Sequence, residues 1–346
     1  MAFLKQPTEV QALSNVLNTY LRWKSLNGPP RGYEIYHPSA FGSCLRRMQY
    51  QRYAERGHIE VAPIAHEAKT VRIFDSGHSM HDRWAKYWEE IGVLRGIWEC
   101  KNPCCRLWDD EGNYKGDSDS CPFVVPEHGG KPSDEPLSPP RKYGKEDKLG
   151  AFKPERCVCG CQDFEYHEIT VYDKELNFRG HVDQIIDFSK FPGGKTYKEG
   201  RPVKVLFKDE DLPKEPIVVD MKSINSFGFK TKLEDGAAPF GYRVQVNIYL
   251  HLLDLQCGVL YFENKDNSGT RLVHVPRDPD LWEKIKEQAR TMTDMVDDLL
   301  LPPPRPKGQG EFECRNCEFQ SICHSSGIWE DPNLAEKRLK FYGGFS

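Results

Sequence analysis

Asp183 ends a Gly-His-Val-Asp run, and Asp220 and Lys222 stand one residue apart in Val-Val-Asp-Met-Lys-Ser. Further on, a helical run carries Gln245 and Tyr249 one turn apart. Two carboxylates can hold a hard divalent cation, which favours carboxylate, carbonyl and water oxygens. A lysine beside it can orient an attacking water or stabilise developing negative charge. These residues are the minimum equipment for attacking a phosphodiester with water. One or two Mg2+ or Mn2+ ions would order the water, neutralise the phosphate and help the leaving oxygen.

Particular elements must position these groups. Asp220 and Lys222 share one face of a strand, because side chains alternate. Asp183 lies in a second strand, Asn177 to Phe188, and pairing of the two would bring the carboxylates together. The backbone carbonyl of Met221 is a further candidate ligand. Gln245 and Tyr249 share a helix face, and so do Gly77 and His81 on an amphipathic helix over 67–92. Both pairs are expected beside the metal or the nucleic acid. Apolar spacing predicts one helix over 7–26 and another from Ser39 to Arg52. Strands are expected at 96–100 and 163–171, and a last helix from Pro279 to Leu301.

The chain has 12 cysteines, and they are clustered rather than scattered, which in a reducing compartment reads as metal binding. Cys100, Cys104, Cys105, Cys157, Cys159 and Cys161 are candidates for a tetrahedral four-thiolate zinc site, with Cys121 and His128 as spare ligands. At the other end, Cys314, Cys317 and Cys323 offer three thiolates, and Cys44 is the best candidate for a fourth. Thiolates suit iron–sulfur clusters and zinc alike, and His324 could stand in for one thiolate at a zinc site.

The 346 residues suffice for one large domain with insertions or two modest ones. No run of about 18 apolar residues appears, so no transmembrane helix is expected. The first residues, MAFLKQPTEV, lack a secretory apolar stretch, so the expected location is cytoplasmic, in the host if phage-encoded. The net charge of −4 argues against a uniformly basic surface, so nucleic acid would need a local basic groove. Arg46, Arg47, Lys69, Arg72, Lys230, Lys232 and Arg243 could line one, and Tyr50, Phe227, Phe229 and Tyr242 could stack on unpaired bases.

His81, the Gly-His-Val-Asp183 run, Asp220-x-Lys222 and Gln245-x-x-x-Tyr249, in that order, resemble the PD-(D/E)XK superfamily in its RecB-like exonuclease branch. The resemblance implies an α/β core with a mixed sheet flanked by helices, and His81, Asp183 and Asp220 as metal ligands. The cysteine spacing is similar to the iron–sulfur staple of CRISPR-associated RecB-like exonucleases. It implies a [4Fe–4S] cluster on Cys44, Cys314, Cys317 and Cys323. Phage relatives suggest the zinc-ribbon-like insertion. The expected organisation is a helical region over 1–97, the insertion over 98–167, a nuclease core over 168–301 and an iron–sulfur segment over 302–346. The implied activity is a Mg2+- or Mn2+-dependent exonuclease on single-stranded DNA or DNA ends. Recombination, replication, repair or CRISPR adaptation proteins are the expected partners. The alternatives are a structure-selective endonuclease and a non-catalytic DNA-binding module on the same fold.

Overall fold

Apolar spacing at the helical period produces helices through the first quarter of the chain. The computed structural model describes residues 8–28, 32–60, 66–102, 105, 141–191, 212–231, 233, 238–304, 314 and 317–323. Within these, α1 (Thr8–Leu26), α2 (Pro38–Phe41), α3 (Leu45–Glu55) and α4 (Ala68–Ile91) precede the first strand. The single helix expected from Ser39 to Arg52 is two, α2 and α3, with a break at Gly42–Cys44. The break lies where two backbones touch, since a Cβ on Gly42 would collide with Gly241.

The strands follow as β1 (Leu94–Cys100), β2 (Lys142–Tyr143), β3 (Ala151–Phe152), β4 (Phe164–His167), β5 (Ile169–Asp173), β6 (Phe178–Val182), β7 (Gln184–Ile186) and β8 (Ile217–Ile224). Helices α5 (Ser226–Thr231) and α6 (Phe240–Leu253) lead to β9 (Cys257–Asn264) and β10 (Thr270–Pro276). Helix α7 (Pro279–Asp297) and the short α8 (Gln320–Cys323) come last. Asp278 caps α7 by accepting from the Leu281 N–H, and Pro279 opens its first turn.

The main sheet runs β10-β9-β8-β7-β1-β2, with β3 and β4 also on β1. Strands β8 and β9 are parallel and the other pairs antiparallel, so the sheet is mixed. Its two faces are covered by different helices. Val218, Leu260 and Phe262 pack with Val246 and Leu250 of α6. Val219, Met221 and Tyr261 pack with Met80 and Ala85 of α4. Burying each large apolar side chain contributes about 1.5–3 kcal/mol, so both helices are firmly fixed to the sheet. A third cluster joins Tyr36, Phe41 and Met48 to Ile285 and Met292 of α7.

Two stretches that read as continuous strands are each bent at a carboxylate. Residues 163–171 divide into β4 and β5 at Glu168, and 177–188 divide into β6 and β7 at Asp183. The β5–β6 hairpin pairs Ile169 with Val182, so Glu168 and Asp183 are the next positions outward. There the chain leaves the small β5–β6 sheet. β4 joins β1, and β7 joins β1 and β8. Of the described residues in 98–167, strands β2, β3 and β4 all pair with β1. Cys104, Cys121, His128, Lys232 and His324 lie outside the described residues. Among the described residues, no helix is long and apolar enough to cross a membrane.

Candidate active site and metal centres

Period-two alternation on β8 sends Val218, Asp220 and Lys222 to the α6 face and Val219 and Met221 to the α4 face. Asp220 is fully buried. Its Oδ1 accepts from Gln245 Nε2 at 2.9 Å, and its Oδ2 lies 2.5 Å from Lys222 Nζ as an ion pair. Gln245 Nε2 also approaches the Tyr249 hydroxyl at 3.4 Å. The one-turn spacing of Gln245 and Tyr249 therefore positions the buried acid. Burial raises the Tyr249 phenol, so it stays protonated. Lys222 Nζ sits 5.2 Å from the Tyr242 ring centroid.

Asp183 occupies the bend between β6 and β7. Its Oδ2 accepts from the Met221 N–H at 2.8 Å, which ties it to β8, and Tyr166 donates to its backbone carbonyl at 2.9 Å. His81 Nδ1 from α4 lies 3.5 Å from the same Oδ2. Glu168, at the matching bend between β4 and β5, completes the group. One ligand atom each of His81, Glu168 and Asp183 lies within 4.8 Å of the others. All three side chains are half-buried and line a cavity of about 940 Å³. Nitrogen and carboxylate oxygens at this separation are a donor set for a hard divalent cation. Asp220 stands behind them with both oxygens facing Gln245 and Lys222, and Met221 contributes its N–H here.

The electrostatics are those of crowded carboxylates in a poorly solvated site. Burial, then the negative charges of Asp183, Asp82 and Asp220, push the Glu168 carboxyl up to about 7. Burial also raises Asp220, with Asp183 adding to the rise and Lys222 opposing it. Burial works against the Lys222 ammonium, but Asp220 and Asp183 outweigh it and hold it charged. Such mutual repulsion is what a bound cation relieves.

Glu168 was not among the residues singled out from sequence. Its signal is the hairpin register, counted outward from the turn at 174–177 until Glu168 stands opposite Asp183.

The central cysteines converge more tightly. Cys100 Sγ is 3.6 Å from Cys159 Sγ, Cys105 Sγ is 3.5 Å from Cys157 Sγ, and all four lie within 4.8 Å of one another. A zinc–sulfur bond of about 2.3 Å implies tetrahedral thiolate separations of about 3.8 Å, so the four fit one such ion. Cys161 is outside this group, and its Sγ bonds locally with Asp163. Burial pushes the Cys105 thiol up to about 12. It acts likewise on Cys157, where hydrogen bonds led by Tyr143 prevail and lower the thiol.

Cys44, Cys314, Cys317 and Cys323 line one cavity of about 150 Å³. At roughly 30 Å³ for each water, that is room for a group larger than a single ion. Arg47 also borders this cavity. Burial pushes the Cys317 thiol up to about 11.

The expected phosphate contacts fare unevenly. Arg46 is 1% exposed and donates to the backbone carbonyls of Pro302 at 3.0 Å and Cys323 at 3.4 Å. A guanidinium buried on carbonyls cannot reach a phosphate, and its role is to hold the C-terminal segment to α3. Arg47 pairs with Glu318 at 2.9 Å. Tyr50 is buried and stacks on Phe319, so it belongs to the core rather than to a base-stacking surface. Lys230, Phe227 and Arg243 are exposed, with Arg243 over the Phe240 ring.

No family model matches the chain, and no curated protein matches it. Among solved structures, SSO0001 aligns with a TM-score of 0.38 and 12% identity, over 90% of this chain and 96% of that one. An alkaline exonuclease, LHK-Exo from Laribacter hongkongensis, aligns with a TM-score of 0.26 and 12% identity, over 38% of this chain. The same exonuclease in complex with dAMP gives a TM-score of 0.27 and 11% identity. The matched part spans 59% and 58% of those two exonuclease chains. These likenesses are loose, and the functional reading rests on the chain's own side chains.

Proposed function

We propose that this protein is a Mg2+- or Mn2+-dependent nuclease with a PD-(D/E)XK core, acting on single-stranded DNA or DNA ends. The observation that carries the proposal is the meeting of His81, Glu168 and Asp183 within 4.8 Å, beside the buried Asp220–Lys222 pair. Asp183 and Glu168 would hold the cation with His81, and Asp220, held on Gln245 and Lys222 behind them, would be the further candidate ligand. The bound cation supplies Lewis acidity and an ordered water. Lys222, kept charged by its carboxylate neighbours, is placed to orient that water and to stabilise charge on the phosphate. Gln245 and Tyr249 fix the buried carboxylate so that it does not rotate away.

The four central thiols fit a structural zinc ion. For the terminal four, a [4Fe–4S] cluster is the reading that the 150 Å³ cavity and the neighbouring Arg47 support, since the cluster carries net negative charge with its thiolates. Anaerobic purification with iron and zinc measured per chain, and the visible thiolate–iron absorbance, separates these assignments. DNA-processing partners in recombination, replication, repair or CRISPR adaptation, and a cytoplasmic setting, accord with this activity.

The test is cleavage of end-labelled DNA with Mn2+ under anaerobic conditions. Wild-type protein should degrade it, and Asp220→Ala and Lys222→Ala should do so at least about 100-fold more slowly. An inert wild type with intact metal centres would overturn the proposal. A covalently closed circle should resist cleavage by an exonuclease and would be cut by an endonuclease.

A further inference from the structure

The cavity that exposes His81, Glu168 and Asp183 has basic groups that the constellation above does not use. Lys142, Lys145 and Lys148 line the same space of about 940 Å³. They are not equivalent. Lys142 is committed to Glu99 at 2.5 Å, and Glu99 also meets His167 at 3.1 Å. Of the turn's two acids, Asp147 is committed to Arg95 at 2.6 Å, and Glu146 is exposed and is not among the residues lining this cavity. Among the described residues, neither Lys145 nor Lys148 makes an ion pair, and both are exposed. The charge of Lys148 is felt at Asp254, but that carboxylate is bonded to Arg277 at 2.6 Å.

The turn that carries these two ammonium groups is built rather than loose. Gly150 N–H donates to the Asp147 carbonyl at 2.9 Å, and Leu149 N–H donates to Asp147 Oδ1 at 2.8 Å. Arg95 Nη2 donates to the Gly150 carbonyl at 2.7 Å. Leu149 packs on the main core. Gly144 and Gly150 have φ of 91° and 71°, and a Cβ on either would collide with Gly96. At its start, Tyr143 donates its hydroxyl to Cys157 Sγ at 3.3 Å, so the four-thiol site braces the turn. A cationic segment already fixed in place loses little further entropy when a ligand arrives.

We propose that Lys145 and Lys148 hold the phosphate backbone of a nucleic-acid strand while His81, Glu168 and Asp183 hold the cation. This rests on the nuclease reading and assigns positioning residues to it. The carboxylates alone would repel a polyanion, and two cations in the same cavity, without an ion pair among the described residues, supply the attraction that binding needs. The lysines do not touch the reacting atoms, so their loss should raise KM and leave kcat within about twofold.

The experiment measures anisotropy of a labelled single-stranded oligonucleotide with Ca2+ present, across a salt series. It compares wild type, K145Q/K148Q and the control K284Q/R290Q, which removes two exposed charges from α7. The K145Q/K148Q protein should bind about tenfold more weakly in 0.1 M salt. Its log K against log salt slope should be shallower by about 1.4, at about 0.7 for each lost contact. Its melting temperature and its Mn2+ affinity should match wild type, and the control should bind as wild type does. Equal affinity and slope in wild type and K145Q/K148Q would overturn this inference alone. A wild type that neither binds nor cuts would overturn the nuclease reading with it.

Discussion

His81, Glu168 and Asp183 border a large cavity and are half-buried, whereas Cys100, Cys105 and Cys157 are buried and close on Cys159. The first group offers oxygen and nitrogen to a hard ion and leaves one side open. The second offers only sulfur and surrounds its centre. Open sites with few protein ligands suit catalysis, and closed four-ligand sites suit structure. The two also differ in construction. The thiols come from turns at the ends of β1 and before β4. The carboxylates come from bends where two strands change sheets, which lets a hairpin deliver both while its body stays out of the main sheet.

The largest break in this comparison is chemical. Asp183→Asn removes the negative charge of a proposed ligand while leaving an amide oxygen that can accept from the Met221 N–H, and should reduce cleavage by at least ~10³-fold, beyond what a single lost stabilising donor costs. Lys222→Ala should lose about 10²–10³-fold in kcat. Neither should disturb the zinc proposed for the thiol site, so zinc per chain should match wild type. Loss of zinc in Asp183→Asn would show that the two centres are not independent.

The converse change is Cys157→Ser. It replaces one of four thiolates, the sulfur that accepts from Tyr143, with a hydroxyl. Zinc content should fall and the melting temperature should drop, because structural zinc contributes folding energy directly. Mn2+ affinity at the carboxylates should be largely retained. Calorimetry with metal analysis on the same preparation checks both halves.

How far the chain discloses these two centres depends on how local the geometry is. Asp220 and Lys222 share a face because strands alternate, and Gln245 and Tyr249 because helices repeat near four. Those relations hold whatever the rest of the molecule does. The mixed sheet flanked by helices was instead an expectation that the family resemblance of those motifs implied, and the sheet is indeed mixed. Glu168 depends on a bend and on hairpin register, which no short-range pattern encodes. Arg46 misleads in the opposite direction. A basic residue among those flanking the site in sequence suggests a phosphate groove, but the tertiary fold buries it on the carbonyls of Pro302 and Cys323. The four thiols of the central site were narrowed by sequence to a set of candidates, and only the backbone selects Cys159 over Cys161.

A milder change tests the support behind the open site. Gln245→Ala leaves buried Asp220 Oδ1 without its donor. Loss of such a supporting partner typically costs 10–100-fold in metal affinity or activity. The thiol centre should not respond. Mn2+ titration followed by isothermal calorimetry reads the first effect, and unchanged zinc the second.

The smallest effect concerns protons. Glu168 is raised from an ordinary 4.5 to about 7 in the folded chain. Between those values the native state binds more protons than the unfolded state, so stability falls as pH rises. The contribution is full below about 4.5 and gone above about 7. Discounted for partial solvent exposure, it is on the order of 1 kcal/mol, or about 1–2 °C of melting temperature. Thermal melts with the carboxylate site metal-free should show this decline relative to Glu168→Gln, in which the term is absent. Saturating Mn2+ should abolish the decline, because a cation favours the ionised carboxylate that protons would otherwise neutralise. A metal-free wild type whose pH dependence matches Glu168→Gln would mean that Glu168 does not share the charge of Asp183, and the open site would then lack its third ligand.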